Sequence, residues 1–79
     1  MNIKMYTKVE CIWCDRAKNI LDEYELEYLE IDISDDIIRK KFYQEVGEGV
    51  STVPQVYIND ERIGGYKELS EWLMTNGKK

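Results

Sequence analysis

The chain has 79 residues, of which 43% are hydrophobic, and it contains two cysteines and no histidine. This length predicts a single domain over residues 1–79, close to the lower size limit for a self-sufficient core. The formal net charge of −5 argues against nucleic acid or an anionic membrane as the main partner, because either would require a concentrated basic surface. The sequence shows neither a signal peptide nor a membrane-spanning stretch, so we expect a cytoplasmic protein.

The first half of the chain is predicted to form a strand, a helix and a second strand. Residues 3–6 are short and partly apolar, which indicates a strand, and residues 7–10 form the loop that follows it. After Cys14, apolar side chains recur at the spacing of an amphipathic helix at Ala17, Ile20, Leu21 and Tyr24. Residues 28–33 alternate in polarity and indicate a second strand. This order predicts a parallel, right-handed βαβ unit.

The second half is predicted to contain a helix, a β-hairpin and a last helix. Ser34 is a good helix-capping residue, and the buried stripe of the second helix is predicted to comprise Ile38, Phe42 and Val46. Residues 55–58 and 62–64 are predicted to pair as antiparallel strands across an Asn-Asp turn. The last helix follows residues 64–65 and is expected to stop at Gly77. The predicted order of elements is therefore β-α-β-α-β-β-α.

Cys11 and Cys14 are the only cysteines, and they lie where the first loop meets the first helix. In the first turn of that helix, Cys11 would lie near unpaired backbone N–H groups and the positive end of the dipole, which favour a thiolate. Cys14, on the buried side, would be the resolving thiol. A structural disulfide closing so short a loop contributes only about 2 kcal/mol, and a zinc site would lack ligands within one chain. The pair therefore predicts a redox dithiol.

Three motifs, taken together and in this order, indicate a known family. They are Cys11-Ile12-Trp13-Cys14, Thr52-Val53-Pro54 and Gly64-Gly65-Tyr66. With the predicted order of elements, they make the chain resemble the small bacterial and phage-type dithiol glutaredoxins along nearly its whole length. The resemblance implies an α/β thioredoxin fold, in which a four-stranded mixed sheet is flanked by three helices.

The resemblance also implies a function. A glutaredoxin is a glutathione-dependent thiol-disulfide oxidoreductase that reduces protein disulfides and glutathione mixed disulfides through its dithiol. Glutathione is then the reductant and co-substrate, no metal is expected, and the protein is expected to be a monomer. Its partners would be disulfide-containing or glutathionylated proteins, and ribonucleotide reductase is a family-level candidate.

The resemblance assigns the middle of glutathione to the motif that contains the proline. Pro54 would form a cis peptide and lie against the cysteine pair. The backbone N–H and C=O of Val53 would bind the cysteinyl part of glutathione, with Thr52 beside it. Trp13 occupies a position usually held by tyrosine, where an aromatic side chain covers the thiol and flanks the substrate.

The γ-glutamyl end of glutathione is assigned to the start of the last helix, a location that favours anions by its own physics. Gly65, Tyr66 and Lys67 would contribute backbone there, and the Glu68 carboxylate could pair with the ligand ammonium. Lys67 departs from the family, which usually has a small polar residue or aspartate at this position. Its cation could attract the ligand carboxylate or repel the ammonium.

The glycyl carboxylate of glutathione requires a cation, and Lys8 matches a family position well. Arg39 on the second helix is a further candidate, with Lys41 as the alternative. Lys8 and Arg39 could also favour the Cys11 thiolate by Coulomb attraction.

Other functions remain open from the sequence. A redoxin that depends on thioredoxin reductase would share the fold and the dithiol. Ile12 replaces a proline that is common in the family, and glutaredoxins without that proline can resemble cluster-bridged dimers, which leaves an iron-sulfur carrier with glutathione as co-ligand as an alternative. A non-catalytic module would instead have a Cys11 pKa near that of a free thiol.

Overall fold

The computed structural model describes residues 1–76 and contains the predicted order of seven elements. These are β1 (Ile3–Thr7), α1 (Ile12–Glu23), β2 (Leu29–Asp32), α2 (Asp36–Val46), β3 (Gln55–Ile58), β4 (Glu61–Gly64) and α3 (Tyr66–Asn76). The predicted helix stop at Gly77 lies outside the described residues. No helix within residues 1–76 has the length and apolar character needed to cross a membrane.

The four strands form one mixed sheet in the order β2-β1-β3-β4. β1 runs parallel to β2, with Met5 opposite Glu30, and antiparallel to β3, with Met5 opposite Val56. β3 and β4 form the predicted antiparallel hairpin. A four-stranded mixed sheet with three helices in this order is the thioredoxin fold, and this prediction is confirmed.

The main hydrophobic core lies between one face of the sheet and the helices α1 and α3. Side chains on a strand alternate between its two faces, so Ile3 and Met5 of β1 share the core face with Val56 and Ile58 of β3. The helices contribute Ala17, Leu21, Leu69 and Leu73, and all of these core side chains are nearly or completely inaccessible to solvent. This core fixes the starts of α1 and α3 relative to the end of β1.

The second helix packs on the opposite face of the sheet and is buried less than its sequence predicts. Phe42 stacks on Tyr6 of β1 with ring centroids 4.3 Å apart, but α2 contains no fully buried residue. The predicted buried stripe is wrong at Ile38, which is 55% exposed. The spacing of its apolar residues therefore overstates how much of this helix is buried.

Two helix starts differ by one residue from those predicted. Asp35, not Ser34, caps α2, because its carboxylate accepts the N–H groups of Ile37 and Ile38 at 3.0 Å each. The Ser34 hydroxyl instead accepts the Val9 N–H at 2.9 Å. Cys11 precedes the first turn of α1 as its N-cap. The Val9 contact ties the start of α2 to the loop that leads to Cys11.

Candidate active site

Cys11 and Cys14 form a disulfide at the N-terminus of α1. Cys14 is completely buried, whereas Cys11 is partly accessible. The Cys11 Sγ accepts the Cys14 backbone N–H at 3.1 Å, as an N-cap side chain does. When the pair is reduced, the same N–H and the helix dipole would stabilise a thiolate on Cys11. Only Cys11 can be reached by an external disulfide without movement of the helix.

The loop before Cys11 borders a cleft of about 320 Å³. Lys8 and Glu10 line this cleft together with Cys11, and both are exposed. Glu10 has a φ of 54°. Glu10 lines the same cleft as Lys8 and Cys11. The two charges therefore have opposite effects on the Cys11 thiolate: the ammonium of Lys8 favours it, and the carboxylate of Glu10 disfavours it.

Pro54 follows a cis peptide bond and is buried. The Val53 carbonyl oxygen lies 3.7 Å from the Cys11 Sγ. From there a second cleft of about 340 Å³ extends towards α3. It is lined by eight of the predicted site residues, namely Trp13, Thr52, Val53, Pro54, Gly65, Tyr66, Lys67 and Glu68. The structure thus brings together the three motifs that are dispersed in the sequence.

Trp13 lies between the two clefts and lines both of them. Its ring is 5.5 Å from the ring of Tyr66, measured between centroids. The Arg16 guanidinium lies 4.6 Å from the Trp13 ring centroid, within the range of a cation–π contact. Although Trp13 is 48% exposed, these two neighbours restrict its orientation beside the sulfur.

The start of α3 forms the far end of the second cleft. The Glu68 carboxylate turns back and accepts the Gly65 N–H at 2.8 Å, which is half of a capping box. Gly64 has a φ of 127°, and a Cβ there would lie 2.8 Å from the Glu68 Cγ. A side chain at position 64 would therefore displace Glu68. The N–H groups of Tyr66 and Lys67, in the first turn, have no partner within the helix and remain available to an anion.

Neither Arg39 nor Lys41 is among the residues that line the two clefts. Arg39 donates to the carbonyl oxygens of Ile33 and Ser34 at 3.2 and 2.7 Å and pairs with Asp36 at 2.6 Å. Its guanidinium is thus occupied at the junction of β2 and α2, and Lys41 is exposed. A role for either cation in ligand binding stays a prediction.

Tyr43 lines the cleft beside Cys11 and was missed by the sequence analysis. Burial raises the pKa of Tyr43, despite an opposing effect of the nearby Arg39. The phenol therefore stays protonated at neutral pH and can donate a hydrogen bond into the cleft. Tyr43 lies one helical turn after the candidate Arg39, so the i, i+4 spacing of α2 could have identified it. Ser51 lines the same cleft and was also missed.

Within residues 1–76, no group of three or more histidine, cysteine or acidic side chains is arranged to hold a metal ion. The Cys11–Cys14 pair itself is suited to the exchange of a thiol with a disulfide.

Comparisons with known proteins agree with this geometry. The family model described as Glutaredoxin matches residues 3–63. Glutaredoxin 1 of Rickettsia prowazekii is 38% identical over 69 residues, which cover 85% of this chain and 72% of the relative. The crystal structure of glutaredoxin 1 from Francisella tularensis, complexed with cacodylate, superposes with a TM-score of 0.87 at 36% identity and covers 94% of this chain and 93% of its own. A buckwheat glutaredoxin–glutathione complex has a TM-score of 0.77 at 27% identity and covers 92% of this chain and 68% of its own.

Proposed function

Because the chain belongs to the glutaredoxin family, whose members are thiol-disulfide oxidoreductases, we propose that it uses glutathione as its reductant. The observation that carries this proposal is a pair of adjoining clefts that share Trp13, Thr52 and Val53. Cys11 and Lys8 line one of them, and the start of α3 lines the other. Lys8 borders the first cleft, and the N–H groups of Tyr66 and Lys67 lie at the far end of the second. Each can bind a carboxylate, so the site suits a small, extended peptide that has a carboxylate at both ends.

The difference in exposure between the two cysteines supports separate roles. The Cys11 thiolate attacks one sulfur of a substrate disulfide, a new S–S bond forms, and the first substrate thiolate leaves and takes a proton. The Cys14 thiolate then attacks the Cys11 sulfur and releases the second substrate thiol, which leaves the Cys11–Cys14 disulfide. Two glutathione thiols reduce this disulfide in two further exchanges and become oxidised glutathione. Two electrons thus pass from glutathione to the substrate.

Binding of glutathione is proposed to follow the cleft. The Val53 backbone pairs with the cysteinyl residue and sets its sulfur beside Cys11, while Trp13 covers the peptide. Lys8 attracts the glycyl carboxylate. The γ-glutamyl carboxylate binds the free N–H groups of Tyr66 and Lys67, because the Glu68 carboxylate already occupies the Gly65 N–H. The existence of a solved buckwheat glutaredoxin–glutathione complex, 27% identical to this chain, supports glutathione as the ligand.

The remaining parts of the proposal concern partners and location. The substrates are proposed to be disulfide-containing or glutathionylated proteins, with ribonucleotide reductase as a candidate to be assayed directly. We further propose that the protein acts as a monomer in the cytoplasm.

A coupled assay tests the reductant. NADPH consumption is followed with glutathione, glutathione reductase and a small glutathione mixed disulfide, for the wild type, Cys11→Ser and Cys14→Ser. We expect turnover by the wild type and by Cys14→Ser, because one thiol suffices for a glutathione mixed disulfide, and none by Cys11→Ser. A protein disulfide as substrate should require both cysteines. Reduction by thioredoxin reductase, without glutathione-dependent turnover, would contradict the proposal and favour the alternative redoxin.

A further inference from the structure

A chain of polar contacts connects β4 to the segment that contains the cis-proline. Gln55, the first residue of β3, is only 4% exposed. Its side-chain N–H donates to the Thr52 carbonyl oxygen at 3.0 Å, and its side-chain oxygen accepts from Arg62 Nη1 at 3.2 Å. Arg62 Nη2 donates to Glu48 Oε2 at 3.0 Å. One side chain from each strand of the hairpin thus joins two points of the loop between α2 and β3.

This loop needs such support, because residues 47–54 belong to neither a helix nor a strand. The bond from Gln55 reaches the Thr52 carbonyl, one peptide before the Val53 carbonyl that lies beside Cys11. A buried amide is unfavourable unless its polar atoms are hydrogen-bonded. An apolar residue would fill this strand position at less cost, but it could not hold the loop.

We propose that Gln55, Arg62 and Glu48 are positioning residues that hold the Thr52–Val53 backbone in the geometry needed to bind the substrate peptide. This inference rests on the proposed function, in which the Val53 backbone pairs with the cysteinyl residue of glutathione. Gln55 acts directly on the segment. Arg62 fixes the orientation of the Gln55 amide, and Glu48 fixes Arg62.

The proposal predicts a graded series of substitutions. Gln55→Glu keeps the size of the side chain and its contact with Arg62, but it replaces the donor to Thr52 with an oxygen that repels the carbonyl. We expect the KM for a glutathionylated peptide to rise about fivefold, the effect of losing one hydrogen bond, while kcat changes by less than about twofold. Arg62→Gln should raise KM less. Glu48→Gln should raise it least, because Glu48 is 73% exposed and such pairs are screened.

A matched control is Lys4→Gln, which removes a cation from the pair that Lys4 forms with Asp60 at 3.6 Å, in the same sheet but on β1. KM should not change in this variant. A second readout, the hydrogen exchange of the Thr52 and Val53 amides, needs no glutathione. Exchange should accelerate most in Gln55→Glu, less in Arg62→Gln and least in Glu48→Gln.

The two readouts separate the inference from the function on which it rests. A wild type that is inactive with glutathione, with amide exchange that follows the series, overturns the proposed reductant and supports the positioning network. An active wild type whose KM and amide exchange are unchanged in Gln55→Glu and Arg62→Gln overturns the network. The network is also overturned if the variants lose stability generally, with kcat changing as much as KM and with amide exchange no faster at Thr52 and Val53 than elsewhere.

Discussion

Gly64→Ala provides a direct test of the geometry at the start of α3. The new Cβ would lie 2.8 Å from the Glu68 Cγ and 2.9 Å from its Oε1, at a φ of 127°. Both the backbone conformation and the neighbouring side chain oppose the substitution. We therefore expect Gly64→Ala to destabilise the protein and to displace the Glu68 carboxylate from the Gly65 N–H.

The expected free energy has two parts. A side chain in this region of φ costs about 1–3 kcal/mol. Displacement of Glu68 removes its bond to the Gly65 N–H, which contributes about 1 kcal/mol. The sum is about 2–4 kcal/mol, and in a domain of this size each kcal/mol lowers Tm by about 4–8 °C. A decrease in Tm of roughly 10–30 °C should follow.

Thermal unfolding of four variants measures these parts separately. Gly49→Ala is the matched control, because Gly49 has a φ of 74° but no atom within 4 Å of the added Cβ, so it should cost only about 1–2 kcal/mol. Glu68→Ala and the double variant complete a cycle. In the Glu68→Ala background, the glycine substitution should cost about 1 kcal/mol less than in the wild type. Equal costs in both backgrounds, or a Gly64→Ala effect no larger than that of Gly49→Ala, would refute this reasoning.

Two further substitutions test the charges around the site. Lys8→Gln should raise the KM for glutathione about two- to fivefold, which is the effect of losing an exposed ion pair. High salt should reduce this difference between the variant and the wild type. An equal rise in KM for Lys40→Gln, on the exposed face of α2, would contradict a specific role for Lys8. The Lys18 ammonium and the Thr7 hydroxyl hold the pKa of Glu30 below its usual value of 4.5, so its stabilisation is present above that pH and is lost as the pH falls below it. Thermal unfolding between about pH 6 and pH 3.5 should therefore show a smaller loss of Tm for Glu30→Gln than for the wild type; equal losses would contradict this assignment.

The sequence predicted the features that depend on local pattern. The period of apolar residues in α1 and the turn at Asn59 are properties of neighbouring residues, so the order of elements could be derived without coordinates. The order of elements and the position of the cysteine pair at the start of α1 were sufficient to identify the fold. The cis bond before Pro54, by contrast, was implied by the family resemblance, because an X–Pro bond can be cis or trans.

The features that the sequence did not predict depend on contacts between distant residues. Ile38 fits a buried stripe, but its exposure depends on how α2 sits on the sheet. The sequence also did not predict the contacts of the Arg39 guanidinium with the carbonyl oxygens of Ile33 and Ser34. The bond between Gln55 and Arg62 depends on the register of β3 and β4, which includes an irregularity beside Tyr57. No pattern of charge or hydropathy specifies such pairings.

The electrostatics of the site differ from those of the whole chain. A net charge of −5 should repel an anionic peptide such as glutathione. However, the starts of α1 and α3 meet at the cleft, where Trp13 and Tyr66 are in contact, and each helix directs the positive end of its dipole there. Lys8 and Lys67 add two ammonium groups at the borders of the clefts, but the carboxylates of Glu10 and Glu68 line the same clefts and offset them. The helix dipoles and the backbone N–H groups of the first turns, rather than net side-chain charge, are therefore the features of this site that favour an anion such as the proposed ligand glutathione.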